Sequence, residues 1–218
     1  MNYSLKVKGL SMGEKLQKGH STGGSQSGFS LADLVKAAEA QSRGEGAPPV
    51  EKWNPENCGE MDLVIQRDGV WMHEGSPIGR HKLVQLFATI LRKDADGTTY
   101  LVTPVEKIEI TVEDAAFVAI RVDVSGEGET QDLIFTTNVG DTVKVGPKRP
   151  LRVEIDAKSG EPAPYILVRG RLDALINRAV FYELVELAVT RRTDDGPQLG
   201  VWSGGVFFAL GEAGSHLA

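Results

Sequence analysis

Two arginines, Arg80 and Arg178, stand 98 positions apart, each just ahead of an apolar-striped stretch. A cation at a helix N-terminus opposes the macrodipole, at a cost of roughly a few tenths of a kcal/mol or more. An anionic ligand at the helix start would offset that cost, and a guanidinium grips phosphate or carboxylate through two parallel hydrogen bonds. The competing use is structural, a salt bridge from Arg80 to Glu74, Asp68 or Glu106. Thr103 and Glu106 flank Pro104, and a proline interrupts strand pairing, so it marks a bend or an edge. A bend there would carry Thr103 and Glu106 to a junction between two halves, as convergent polar groups of a pocket. The alternative is a strand break followed by a surface glutamate.

Other chemistries find less support. His20 and His216 fall near the chain ends, His73 on a short strand and His81 on a helix, and no Gly-x-Ser-x-Gly elbow accompanies them. His73 and His81 are read as surface or packing residues. Cys58, in Pro55-x-x-Cys58-Gly59, has two readings. It is a nucleophile or redox thiol if a base stands beside it, or a small residue closing a turn against the core. The second is the commoner use. One cysteine and scattered histidines match no zinc spacing. Asp94-Ala95-Asp96-Gly97 begins like a calcium loop, but its glycine comes at the fourth position. No phosphate-loop or dinucleotide-binding glycine pattern occurs. Arg67, Arg152 and Arg169 lie on expected strands and are read as covering sheet edges. Trp53, Trp71 and Trp202 are read as core or interface anchors.

The composition narrows the classes. The chain has 218 residues, 41% hydrophobic and 25% charged, which suits a globular fold with a substantial core. Its apolar runs are far shorter than the roughly 20 residues that span a bilayer, and residues 1–28 lack the apolar stretch of a secretory signal. A single cysteine fits a reducing compartment, so the expected location is cytoplasmic, without membrane insertion. The net charge of −6 argues against duplex nucleic acid as a partner. Residues 1–28 hold four lysines against one glutamate (+3), which leaves −9 on the remainder.

Elements able to position these residues follow from pattern. Residues 1–28 are rich in Gly, Ser and Lys without apolar period and are read as a flexible tail. Ser30 with Asp33 predicts a helix start, with Phe29 and Leu34 as a hydrophobic staple, and the helix should end near Arg43. Met61–Arg67 and Val70–Glu74 form a hairpin about Asp68-Gly69. Ser76-Pro77 predicts the start of a second helix, whose buried face is Leu83, Leu86, Phe87, Ile90 and Leu91. Strands are expected at 99–103, 107–112, 116–124, 132–137, 142–145 and 151–155. A second hairpin and helix should span 165–191, and the closing strands lie near 198–203 and 206–210. The fold class is α+β, with sheet dominating. Residues 64–102 and 165–201 share their order of hairpin, arginine, striped helix, Asp-Gly turn and strand, so an internal duplication is expected, with a quasi-symmetric interface that suits a ligand.

Several blocks carry a resemblance: Trp53-Asn54-Pro55, Arg67-Asp68-Gly69-Val70-Trp71, Gly75-Ser76-Pro77-Ile78-Gly79-Arg80 and Leu101-Val102-Thr103-Pro104-Val105-Glu106. Further on come Glu113-Asp114, Thr136-Thr137-Asn138, Pro150-Leu151-Arg152 and Pro164-Tyr165. In these the chain resembles domain-of-unknown-function family 1285 (DUF1285) over roughly residues 48–210. Met72-His73 stands where the family more often has bulkier aromatics. The resemblance implies a duplicated core of two small domains, the second loosely similar to pleckstrin-homology folds. It also implies a nucleotide-like ligand at the interface and a place in signal transduction. On this footing the domains are 29–104 and 105–218 after the tail. The candidate ligand-binding residues are Arg80, Thr103, Glu106, Asn138 and Arg178, with no catalytic residue, metal or cofactor. The leading expectation is a non-enzymatic binder of a small anion with a possible signalling partner. An enzyme acting on a phosphorylated small molecule, with Glu106 or a histidine as base, and a protein-interaction module are the alternatives.

Overall fold

The computed structural model of the chain describes residues 30–41, 47–157, 159–194 and 196–214. The expected tail, Phe29 and the helix end near Arg43 lie outside them. The first helix, α1 (Leu31–Gln41), begins as its sequence predicts: Asp33 N donates to Ser30 Oγ at 3.2 Å, and Ser30 Oγ donates to the Asp33 carboxylate at 2.6 Å. The reciprocal pair adds a side-chain acceptor to the Asp33 N–H, which also donates to Ser30 O at 3.1 Å. Leu34 and Ala38 of α1 are buried, and the helix packs on α2 (His81–Thr89).

Two six-stranded sheets and a three-stranded one make up the rest. The first sheet has the order β3-β2-β1-β6-β5-β4, built from β1 (Asn57–Ile65), β2 (Trp71–His73), β3 (Ser76–Pro77), β4 (Leu91–Lys93), β5 (Thr99–Val102) and β6 (Glu106–Val112). The second has the order β10-β11-β12-β7-β8-β9. Its strands are β7 (Phe117–Ser125), β8 (Asp132–Thr137), β9 (Thr142–Lys144), β10 (Leu151–Ile155), β11 (Pro162–Arg169) and β12 (Leu172–Ile176). After α3 (Arg178–Glu186) comes the third sheet, β13 (Val189–Thr193), β14 (Gly196–Ser203) and β15 (Val206–Glu212). The expected strands are all present, because their alternation matches a pleat with one buried face. Ile108 and Ile110 are buried and Leu151 is too, whereas Ile155 at the end of β10 is 68% exposed.

One element boundary differs. Ser76 and Pro77 do not open a helix; they pair with His73 and Met72 as a short edge strand, and α2 starts at His81 with Arg80 as its N-cap. The Ser-Pro signature also suits an edge strand, since an edge proline has no ladder partner to lose. The stripe is otherwise as expected. Val84, Phe87 and Ala88 are buried and Leu83 and Leu86 partly so, while Leu91 belongs to β4.

Both 64–102 and 165–201 run hairpin, helix, hairpin, but their sheets connect differently. In the first, β1 takes β2 on one side and the parallel β6 on the other. In the second, β11 lies between β10 and β12, and β12 holds the parallel neighbour, β7. A single hydrophobic cluster, from Leu34 through Phe87, Phe117 and Leu184 to Leu210, runs beneath both halves.

Polar contacts close the seam between them. Asn138 accepts from Val118 N at 3.1 Å and donates to Gly69 O at 3.2 Å, while Gln85 Nε2 donates to Val139 O at 2.9 Å. Arg169 donates to the Asp141 carboxylate and, at 2.6 Å, to Ala88 O near the end of α2, with its guanidinium over the Phe117 ring. A cation there satisfies a helix-end carbonyl and complements the dipole. Arg169 therefore does more than cover a sheet edge.

Candidate functional site

The turn between β1 and β2 follows from Asp68-Gly69. Gly69 takes a φ of 86°, and Asp68 accepts from Val70 N at 3.0 Å. This turn projects Arg67 toward the second half. There Arg67 Nη1 donates to Asp156 Oδ2 at 2.6 Å, and its Nε lies 3.3 Å from Asp114 Oδ2. The Tyr165 hydroxyl donates to the other oxygen of Asp114 at 2.8 Å. Burial, reinforced by that hydrogen bond, holds the Tyr165 phenol protonated well above its ordinary range. Arg152 lies over the Tyr165 ring and forks onto both oxygens of Asp173 at 3.0 Å. At the seam itself Arg67 thus stands between two carboxylates, Asp114 and Asp156.

The start of α3 is built from its N-cap. Asn177 Oδ1 accepts from Val180 N at 2.9 Å, and Asn177 N donates to Ala119 O on β7 at 3.1 Å. Arg178 is therefore fixed as the first helical residue, the position where its charge opposes the dipole. Its Nε donates to Tyr182 Oη at 3.0 Å, and an Nη lies 3.8 Å from Glu161 Oε1.

Arg67 and Arg178 line one cleft, of about 180 Å³. Glu161 and Asn177 add polar edges; Pro164, Leu175, Phe181 and Val185 give it an apolar wall, and Tyr182 stands half-exposed at the side. Its makeup, apolar with a few convergent polar groups, is what small-molecule sites share. Among the described residues that line it there is no histidine or cysteine.

Of the five sequence candidates, only Arg178 lines this cleft. Arg80 is exposed at the N-cap of α2, and among the described residues no carboxylate pairs with it. Thr103 is fully buried in the β5–β6 turn, where its Oγ1 accepts from Glu106 N at 3.1 Å. The expected bend is there, but it serves a hairpin inside the first sheet. Burial and then the Asp33 carboxylate of α1 raise the Glu106 carboxyl above its usual range, and Glu106 does not line the cleft. Asn138 uses both ends of its amide within the fold, one to Val118 N in its own half and one across the seam to Gly69 O. The residue sequence reasoning missed is Arg67. Its signal was its place beside Asp-Gly, at a turn tip rather than within the strand.

Cys58 also departs from expectation. It sits in β1 opposite Lys107 and is exposed, so it closes no turn against the core. Thiol reagents should label it in the native protein as fast as an unfolded-chain thiol, and labelling slower by an order of magnitude or more would contradict this placement. Among the described residues no group of three or more His, Cys, Asp or Glu side chains could hold a metal ion, and no helix is long and apolar enough to cross a membrane.

With the seam in place, likeness to known proteins can be read onto it. The model of the DUF1285 N-terminal domain, a domain of unknown function, matches residues 48–115, and that of the DUF1285 C-terminal domain matches 116–210. The chain belongs to the DUF1285 family. A crystal structure of a DUF1285 protein from Silicibacter pomeroyi DSS-3 is 46% identical, with a TM-score of 0.75 over 83% of this chain and 95% of that one. A second DUF1285 structure, from Shewanella baltica OS155, is 26% identical over 57% of this chain and 90% of its own, with a TM-score of 0.47. No curated protein matches. The two DUF1285 domains meet between residues 115 and 116, beside Asp114, so the Arg67–Asp114 contact lies at their junction.

Proposed function

We propose that this DUF1285 protein is a non-enzymatic cytoplasmic module that binds a small anion between its halves and passes that occupancy on in signal transduction. One observation carries the reading: a guanidinium from each half, Arg67 and Arg178, lines the same apolar-walled cleft. A ligand touching both would favour one arrangement of the halves, and such a differential contact is what a sensor needs. Size limits the ligand. An apolar cavity of about 150 Å³ holds a benzene ring, whereas drug-sized sites run to roughly 300–1,000 Å³. A cleft of about 180 Å³ therefore admits a ring with an acidic group, or one end of a nucleotide-like molecule whose remainder lies outside. The reading also takes 64–102 and 165–201 as copies of one unit, supported by their shared element order. It takes the second half as loosely pleckstrin-homology-like, on the resemblance given above.

Thermal-shift titration with nucleotides, cyclic dinucleotides, simple phosphates and aromatic acids tests it. A true ligand at 100 times its Kd stabilises the fold by about 2.7 kcal/mol, a visible move of the midpoint. Arg178→Ala should abolish most of that move while leaving the unliganded midpoint close to wild type, because the side chain is 66% exposed. No shift with any anion would overturn the reading and favour a protein-interaction module; turnover of the bound compound would make it an enzyme.

A further inference from the structure

We infer that the cleft takes a diacid, and that the turn between β10 and β11 supplies two internal competitors for it. The inference rests on the anion reading above and names its ligand class. Asp156 opens this turn and Glu161 closes it. Asp156 N donates to Glu161 O at 2.8 Å, Gly160 N donates back to Asp156 O at 2.8 Å, and Asp156 Oδ1 accepts from Ser159 N at 2.9 Å. The two acids are therefore held side by side by one short loop. Each faces one of the cleft arginines: Asp156 Oδ2 takes Arg67 Nη1 at 2.6 Å, and Glu161 Oε1 lies 3.8 Å from an Nη of Arg178. The protein thus already meets the two guanidinium groups with two carboxylates on one short backbone frame, while Asp114, outside that loop, holds the Nε of Arg67 at 3.3 Å.

A ligand that replaces both contacts must carry two acidic groups of its own. A monoacid satisfies one arginine and leaves the other with its turn carboxylate. Phe181, Val185 and Pro164 require the frame between the acids to be apolar, as in a benzenedicarboxylate or a short aliphatic diacid. The two competitors differ in strength. The Asp156 side chain is 13% exposed and hydrogen-bonded at both oxygens, whereas Glu161 is 59% exposed and at ion-pair distance only. Screened, long pairs of the second kind are weak, so Glu161 yields first.

Calorimetric titration of the full chain with benzoate and with isophthalate distinguishes the possibilities. Isophthalate should bind at least about tenfold more tightly than benzoate, and Arg178→Ala should reduce that preference to near unity. Glu161→Gln removes a competitor without touching the fold and should tighten isophthalate by about two- to fivefold, the range an exposed ion pair allows. Asp156→Asn keeps the acceptor for Ser159 N while removing the charge, and should tighten it further. Equal affinity for the two probes, or weaker binding in Glu161→Gln, would overturn the inference. If neither probe binds while a nucleotide or phosphate still shifts the midpoint, the diacid is wrong and the anion site stands. If no anion of any kind acts, both readings fall.

Discussion

Gly69→Ala destabilises the protein by about 2–4 kcal/mol, the sum of backbone strain at positive φ and of overpacking. The φ of 86° is one that side chains other than glycine's rarely adopt. A Cβ there would stand 2.6 Å from Asn138 Nδ2 and 2.9 Å from Val118 Cγ2, closer than real Cβ contacts come. Asn138 cannot swing aside without losing its bonds to Val118 N and Gly69 O, the second of which fastens the two halves. Gly75 offers the control. Its φ is 71°, yet nothing lies within 4 Å of its added Cβ, so Gly75→Ala should show the strain alone, about 1–2 kcal/mol. Urea unfolding monitored through the tryptophans gives both values. Equal losses at the two positions would show that the seam at Asn138 has room to spare.

Arg92→Ala should cost about 2–4 kcal/mol, chiefly because buried carbonyls lose a charged donor, while Lys107 still pairs with Asp94. The side chain is 8% exposed, and its guanidinium ties three segments together. One Nη donates to Val50 O at 3.0 Å and Trp53 O at 2.6 Å, and Nε donates to Asp94 at 2.7 Å. Truncation leaves both carbonyls and the carboxylate without that donor. Arg92→Lys should recover only part, because an ammonium lacks the planar fork. The pH dependence carries the same signature. Burial works to raise the Asp94 carboxyl, but hydrogen bonds from Arg92 and Lys107 outweigh it and hold the group below its ordinary 3.8. A depressed carboxyl contributes stability that is present above 3.8 and lost as pH falls through the lower folded value. The wild type should therefore weaken as the pH falls below 3.8, and Arg92→Ala should weaken less on the same acidification. Parallel acid profiles for the two proteins would remove Arg92 as the cause.

The strands were legible because burial on one face leaves a period-two imprint, clear at Ile108 and Ile110 and in the exact span 132–137. Asp68-Gly69 and Ser30 with Asp33 were legible because their chemistry is local. The site was much less so. Ser76-Pro77 obeys two local rules at once, and only pairing with Met72 and His73 decides between them. Thr103 and Asn138 are polar residues whose hydrogen bonds are used within the fold itself, one in a turn and one across the seam. No spacing rule reveals where a polar side chain will find its partner. Arg67 becomes a cleft residue only because Asp114 and Asp156, 47 and 89 positions later, fold around it.

Arg169 completes α2 from the other side of the seam: the carbonyl of Ala88 finds its donor on a strand more than eighty residues downstream. The N-terminal DUF1285 segment therefore cannot finish its own helix, and Gln85 reaches into the C-terminal segment for Val139 O. Sequence similarity divides the chain at residue 115, but the hydrogen bonds and the hydrophobic cluster cross that division. Each segment supplies polar partners that the other lacks, so the packed unit is larger than the unit that is recognised.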